Sequence, residues 1–106
     1  MNDAQLEAAI AAKPGDKVTK ESIEARIDNV MSAVLPNSTV TIVNITMKNG
    51  FSIRGESACV DARNFDLQIG EEIAYRDAFR KIWELEGYLL AEQRHQDFIK
   101  SQTPGA

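Results

Sequence analysis

The turn at Asn49-Gly50 constrains the fold of this chain most, because it fixes which residues of two flanking apolar segments face each other. A two-residue type I′ loop would pair Lys48 with Phe51 and set polar side chains against apolar ones. A type I turn with Gly50 in the left-handed region forms a G1 bulge and pairs Met47 with Phe51 instead. Only the bulged register sorts apolar and polar side chains onto opposite faces, so we expect it.

The bulged register also pairs Ile45 with Ile53 and Val43 with Gly55, which creates one apolar sheet face. That face holds Val43, Ile45, Met47, Phe51 and Ile53. The opposite face holds Asn44, Thr46, Ser52, Arg54 and Glu56. We therefore predict an antiparallel hairpin with strands near residues 39–47 and 51–57.

Helical patterns precede the hairpin. Asn2 or Asp3 can cap a short helix that ends at residues 13–16. Its small apolar area leaves residues 1–17 either mobile or used in an oligomer contact. A second helix is predicted to begin after Thr19 and to run to about residue 34, since its apolar residues recur at helical spacing. Those residues are Ile23, Ile27, Val30, Met31 and Val34.

A long C-terminal helix is predicted to begin near Phe65. Its apolar residues form a sector wide enough to cover the sheet and to touch the second helix as well. They are Leu67, Ile69, Ile73, Ala74, Ala78, Phe79, Ile82, Trp83 and Leu85. Gly70 costs a helix about 1 kcal/mol relative to alanine, so its presence predicts close backbone approach to the hairpin. Gly87 predicts a helix end or a kink.

These elements predict an α+β fold with N-terminal helices, an antiparallel β-hairpin with a bulged turn, and a long C-terminal helix packed on the sheet. We expect one domain over residues 18–98 and a disordered tail over 99–106. A hairpin alone is rarely stable and has two open edges. Either the N-terminal segment or residues 57–60 add pairing, or the edges pair between chains, and we expect a homo-oligomer.

Composition argues against several classes of protein. None of the apolar runs in the 106 residues approaches the about 20 residues that a membrane span needs. The N-terminus lacks the basic and apolar segments of a secretory signal, and a single cysteine fits a reducing cytoplasm. The net charge of −4 lacks the basic field that drives nucleic-acid binding, so we expect neither a membrane nor a nucleic-acid partner.

Two short patterns are distinctive in combination. They are Asn49-Gly50-Phe51 with Gly55-Glu56-Ser57, and Ile82-Trp83 with Leu85-Glu86-Gly87-Tyr88. Over roughly residues 18–92 the chain resembles a family of small tailed-phage proteins of unassigned function. The resemblance implies a phage or prophage product acting in the host bacterial cytoplasm. It implies no known reaction, although small phage proteins of this sort often counter host defences or redirect host machinery.

Two arginines one helical turn apart lie beside an aromatic stripe of the predicted long helix. The set is Tyr75, Arg76, Phe79, Arg80 and Trp83. It can form an anion and ring site, in which guanidinium groups hold a phosphate or carboxylate while a ring stacks on a base or partner. It can equally be an ion ladder, Glu72 to Arg76 and Arg80 to Glu84, above rings that belong to the core.

Three further residues are candidates for the same site. Arg54 on the polar sheet face and Arg63 at the start of the long helix could converge with the arginine pair on one ligand. Tyr88 and Trp83 flank Leu85-Glu86-Gly87 and either bind a partner or lock the end of the helix onto the domain. The predicted binding residues are therefore Arg54, Arg63, Arg76, Arg80, Trp83 and Tyr88.

We expect no catalytic role for the remaining reactive side chains. Cys59 has no base nearby in the sequence, since the only histidine is His95, so we expect a packed thiol. Acidic residues near the start of the long helix suit the positive end of its dipole. We therefore predict no catalytic residue, no metal site and no cofactor.

The function predicted from sequence is a non-enzymatic phage accessory protein that binds a host protein of a defence or regulatory system. The alternative is an oligomeric sponge whose arginines neutralise the phosphates of a nucleotide-like signal.

Overall fold

The computed structural model describes residues 1–102. In chain order its elements are α1 (Asp3–Ala11), α2 (Lys20–Glu24), β1 (Ile27–Val34), β2 (Val40–Met47), β3 (Ser52–Ala58), a 3₁₀ turn (Ala62–Asn64) and α3 (Leu67–Ser101). The strands form one antiparallel sheet in the order β1-β2-β3, and α3 packs on one face of it over β2 and β3. The predicted α+β fold is confirmed.

The turn between β2 and β3 has the bulged geometry. Gly50 has a φ of 90°, which glycine adopts without strain. The Gly50 N–H donates to the Met47 carbonyl at 2.8 Å, and the Met47 N–H donates to the Phe51 carbonyl at 2.8 Å. Ile45 lies opposite Ile53, as predicted. Four of the five residues expected on the apolar face are buried, but Phe51 is 58% exposed because it lies in the turn, beyond the end of β2.

The strand β1 lies where the second helix was predicted to continue, so that prediction is wrong. Thr19 does cap α2, accepting a hydrogen bond from the Ser22 N–H at 3.0 Å, but α2 is only five residues long. The chain then pairs with β2, placing Val30 opposite Ile45. Three of the eight β1 residues are β-branched, which favours extended backbone. The free edge of β2 supplies hydrogen-bond partners, and this pairing overrides the helical spacing.

Two glycines let α3 approach the sheet closely. A Cβ atom on Gly55 of β3 would lie 2.1 Å from the Ala74 carbonyl oxygen and 2.3 Å from the Ala78 amide nitrogen. A Cβ atom on Gly70 would lie 2.5 Å from Thr41 Oγ1. Gly70 therefore has the role predicted for it. The equivalent role of Gly55 was missed, although the small residues Ala74 and Ala78 at i,i+4 were a signal for it.

The core lies between α3 and the sheet and includes one residue of α2. Its buried apolar residues are Ile23, Val43, Ile45, Met47, Ile53, Ala74, Ala78 and Ile82. The apolar sector predicted for the long helix is less buried than expected. Four of its residues are at least 46% exposed, namely Leu67, Ile69, Ile73 and Leu85. The reason is the short α2, which does not provide the second helix that this sector was expected to touch.

The helix α3 continues through Gly87 to Ser101, so Gly87 does not end it. The helix-forming residues that follow outweigh a glycine cost of about 1 kcal/mol. Residues 99–101, the start of the predicted tail, belong to α3, and residues 103–106 lie outside the described part of the chain. A helix of 35 residues spans about 52 Å, roughly twice the length of the strands, so its C-terminal half extends beyond the sheet.

Candidate functional site

An aromatic stripe runs along the side of α3 that faces α2. Tyr75 and Phe79 are half-buried and pack against the core, with ring centroids 5.7 Å apart and planes at 36°. Phe79 and Trp83 meet edge to face at 6.4 Å and 71°, a favourable aromatic geometry. Trp83 remains 39% exposed. Burial and the nearby Glu24 and Glu72 carboxylates raise the pKa of Tyr75, which keeps its hydroxyl protonated.

The arginines of the site lie in the ion ladder that their spacing predicts. The Arg76 guanidinium pairs with Glu72 at 2.9 Å. The Arg80 guanidinium pairs with Glu84 at 3.9 Å and with Asp77 at 3.2 Å. These pairs are exposed, so each contributes about 0–1 kcal/mol to stability. The ladder therefore leaves both guanidinium groups available to a partner that can compete with the local carboxylates.

A shallow cleft of about 530 Å³ brings the stripe and the arginines together with residues from two other helices. It is lined by Glu7, Lys20, Glu72, Tyr75, Arg76, Phe79, Arg80 and Trp83. We call this the aromatic–arginine cleft. Lys20 and Glu7 were not predicted as site residues, since only the fold places α1 and α2 beside this side of α3. Three cations and two carboxylates give the cleft a mixed charge with a slight positive excess.

The other predicted site residues lie outside this cleft. Arg54 lines a separate surface cleft with Lys81 and Glu84. Arg63 pairs with Asp61 at 2.7 Å in the turn before α3, and this hydrogen bond lowers the pKa of the Asp61 carboxyl. The structure therefore does not bring these two arginines into the cleft that holds the arginine pair.

Tyr88 also lies apart from Trp83. It is 74% exposed and borders an apolar cleft of about 250 Å³ between α3 and the hairpin turn, which Phe51, Leu85 and Leu89 line as well. Trp83 and Tyr88 therefore belong to two different surfaces rather than to one recognition patch.

Two of the reactive side chains, Cys59 and Asp66, take part in local hydrogen bonds. The Cys59 thiol donates to the Asp61 carbonyl oxygen at 3.1 Å. Asp66 caps α3 by accepting a hydrogen bond from the Ile69 N–H at 3.1 Å, as expected for a carboxylate at a helix start. His95 is exposed on α3.

Two further findings concern the described residues 1–102. Among them there is no group of three His, Cys, Asp or Glu side chains placed to hold a metal ion. The helices of this part of the chain are also too short or too polar to cross a membrane.

The structure thus defines a small α+β protein in which one long helix, packed on a three-stranded sheet, carries an exposed aromatic and arginine surface. The chain belongs to the phage protein family described as the N4 Gp49/phage Sf6 gene 66 family, whose model matches residues 18–94. This confirms the resemblance to small phage proteins. Neither the curated proteins nor the solved structures include a match to the chain.

Proposed function

We propose that this phage-family protein is a non-enzymatic accessory protein that binds a host protein through the aromatic–arginine cleft and so neutralises or redirects it. The proposed place of action is the cytoplasm of the bacterial host, and the partner is a component of a defence or regulatory system. Membership of a phage family supports the setting. The observation that carries the proposal is the exposure of Trp83 beside Arg76 and Arg80 on α3.

The residue types in the cleft are those that dominate protein interfaces. Tryptophan, tyrosine and arginine are enriched among the residues whose truncation weakens binding most. Trp83 is held by its edge contact with Phe79, so little side-chain freedom is lost when a partner covers it. Arg76 and Arg80 are 77% and 62% exposed at their side chains and can serve as a polar rim.

The charges in the cleft favour a protein partner over a free phosphate. Arg76 and Arg80 already have carboxylate partners in Glu72, Asp77 and Glu84. A phosphate would have to displace those carboxylates, and nearby negative charge would oppose it. A protein surface with both signs of charge can pair with the arginines and the carboxylates together.

A second candidate function is the sequestration of a nucleotide-like molecule. It is supported by Lys20, which lines the cleft from α2 and brings a third cation to the rings beside Arg76 and Arg80. Guanidinium groups can hold phosphates while Trp83 stacks on a base.

Binding to a purified partner tests the first proposal. The protein is used to capture host proteins, and the affinity of each identified partner is then measured by calorimetry. Trp83→Ala should weaken binding by about 30-fold or more, as expected for a central interface residue. Tyr88→Ala removes an exposed aromatic side chain outside the cleft and should leave the affinity within about threefold of the parent value. Equal losses for both variants, or none for Trp83→Ala, would contradict the proposed site.

A thermal-shift panel of linear and cyclic nucleotides tests the second candidate. A sponge should gain stability with one of them, and Arg76→Ala should abolish the gain. Arg63→Ala is the matched control, because it removes the same charge outside the cleft. A flat response across the panel counts against nucleotide binding.

A further inference from the structure

The two outer edges of the sheet differ in how the rest of the chain covers them. On β3, Asp77 of α3 accepts a hydrogen bond from the Glu56 N–H at 3.1 Å. Lys81 of α3 donates to the Arg54 carbonyl oxygen at 2.7 Å. Charged side chains over an edge strand keep it from pairing with another chain. The β3 edge is therefore closed.

On β1, Glu71 of α3 accepts a hydrogen bond from the Ser32 Oγ at 2.5 Å, but within residues 1–102 no charged side chain bonds the outward-facing backbone groups of the strand. The Leu35 N–H donates to the Val40 carbonyl at 3.0 Å, which continues the β1–β2 ladder. Because antiparallel strands alternate the direction of their hydrogen-bonding groups, Asn29, Met31 and Ala33, which follow the bulge, bond to β2. The backbone groups of Val30, Ser32 and Val34 therefore point away from the sheet. They form a regular row of open donors and acceptors.

Five of the eight residues of β1 are apolar, and exposed apolar side chains lie on both faces of the sheet. Val30 and Val34 lie on the face that carries α3 and are 45% and 38% exposed, and Met31 on the other face is 63% exposed. The only charged residue of the strand is Asp28, next to the bulge at its start. An edge strand with exposed apolar residues and with its one charged residue at the end is suited to pairing with another chain.

The overall dimensions show an elongated molecule with a large exposed surface. The radius of gyration is 18.3 Å, whereas a compact chain of this length has about 13 Å. The accessible surface is 8081 Å², which exceeds that of a typical monomer of this mass by about 2,000 Å². Part of this excess belongs to α1, which has no buried residue, and to the half of α3 beyond the sheet, and the exposed side chains of β1 contribute the rest with other surfaces.

We propose that β1 pairs antiparallel with β1 of a second copy of this chain, which makes one six-stranded sheet across a two-fold axis. A strand edge is self-complementary in this arrangement, because each copy offers the same donors and acceptors in reverse order. Asp28 lies at one end of the strand, so pairing about the strand centre keeps its two copies apart. The Glu71 carboxylates, each bonded to Ser32, come closer to the axis, and protonated or salt-screened carboxylates would favour the pairing. Val30 and Val34, on the face that carries α3, then lie beside the same residues of the second copy and form one apolar surface.

A charge on the strand edge tests this pairing. Native mass spectrometry and light scattering of the full chain should show a dimer. Val30→Lys should raise the dimer dissociation constant more than about tenfold, because it places two lysines at the new strand contact. Val60→Lys makes the same chemical change at a fully exposed valine outside the strands and should leave the dimer intact.

A cysteine scan locates the axis. Single cysteines are placed at each of residues 30–34 in a Cys59→Ser background and oxidised. Two copies of one residue separate by about 6.6 Å for each step away from the axis of an antiparallel pair. Disulfide yield should therefore peak at position 31, 32 or 33 and fall on both sides. A cysteine in place of Val60 reports the background yield.

Several outcomes would overturn the proposal. They are a wild-type monomer at all concentrations, a dimer that Val30→Lys leaves unchanged, and a disulfide profile without a maximum. A monomer that joins a host protein through Val30 would also overturn it. Val30→Pro is a second variant in case Val30→Lys does not fold. Proline removes only an N–H that points away from the sheet, so circular dichroism should show a folded protein, and native mass spectrometry should show a monomer. Trp83→Ala should leave the dimer intact, because Trp83 lies outside β1. Loss of partner binding and loss of the dimer can therefore be observed independently of each other.

Discussion

The strands β1 and β3 flank β2 in the same way but are stabilised differently. Five of the eight β1 residues are apolar, whereas β3 has only Ile53 and Ala58 among its seven residues. Yet α3 packs over β3, because Gly55 lets the helix backbone come close. Close backbone approach, not apolar content, therefore decides which flank of this small sheet the helix covers. The more apolar strand is left at the surface.

The substitution expected to have the largest effect on the packing of α3 over β3 is Gly55→Ala. The added methyl group would meet backbone atoms of Ala74 and Ala78, which cannot move aside independently. We expect a loss of about 4 kcal/mol or more in the free energy of unfolding, measured by chemical denaturation. Gly87→Ala is the matched control, because its methyl group meets nothing within 4 Å. It should stabilise the helix by about 0.5–1 kcal/mol.

Truncating one apolar side chain on each flank compares the two strands directly. Ile53 of β3 is 6% exposed, so Ile53→Ala should cost about 3 kcal/mol through lost burial and an unfilled cavity. Val30 of β1 is 45% exposed, and Val30→Ala should cost less than about 1 kcal/mol in the monomer. Denaturation at low protein concentration measures both. Similar losses would show that α3 covers the two flanks alike.

The misassigned β1 shows what local pattern cannot determine. Ile23, Ile27, Val30 and Val34 recur at helical spacing, and the Thr19 cap is real, so the local signal for a helix was correct for α2. The strand that follows carries apolar residues on both faces, which removes the alternation that marks a half-buried strand. Its conformation depends on the free edge of β2, a partner distant in sequence. In contrast, the turn at Gly50 was predictable because turn chemistry and strand alternation agree there.

The candidate site was predictable only where one helix contains it. Arg76, Arg80 and Trp83 lie on neighbouring turns of α3, so helical spacing alone places them side by side. Lys20 joins them because α2 packs beside α3. Arg54 lies on β3 in another cleft, and Arg63 lies in the turn before α3, so neither reaches the arginine pair. Those relations depend on tertiary packing, which spacing in the sequence does not encode.

A mid-sized effect concerns Thr41, which lies on β2 between Val34 of β1 and Ser57 of β3. Thr41 is fully buried, and its Oγ1 makes no hydrogen bond within the described residues. Thr41→Val keeps the shape and removes the unsatisfied hydroxyl, so it should stabilise the protein by about 1 kcal/mol. Thr46→Val is the control, because the Thr46 hydroxyl bonds Ser52 at 3.2 Å and its loss should not stabilise the protein. Calorimetric unfolding of both variants measures the difference.

The smallest effect concerns the charged cover of the β3 edge. The Glu56 N–H and the Arg80 guanidinium both bond the Asp77 carboxylate and lower its pKa. A carboxyl whose pKa is lower in the folded state stabilises the protein above its unfolded pKa of about 3.9, and this contribution is lost as the pH falls through the folded value. Asp77→Asn should therefore cost about 0.5–1 kcal/mol at pH 7.

The pH dependence separates this charge effect from a packing effect. The difference in unfolding free energy between the parent protein and Asp77→Asn should begin to shrink as the pH falls below about 4, where Asp77 of the unfolded parent binds a proton, and should be lost below the lowered pKa of the folded state. A difference that stays constant between pH 7 and pH 3 would mean that the carboxylate charge does not stabilise the covered edge. In that case the contrast between β3 and β1 would depend on Gly55 and the packing of α3 alone.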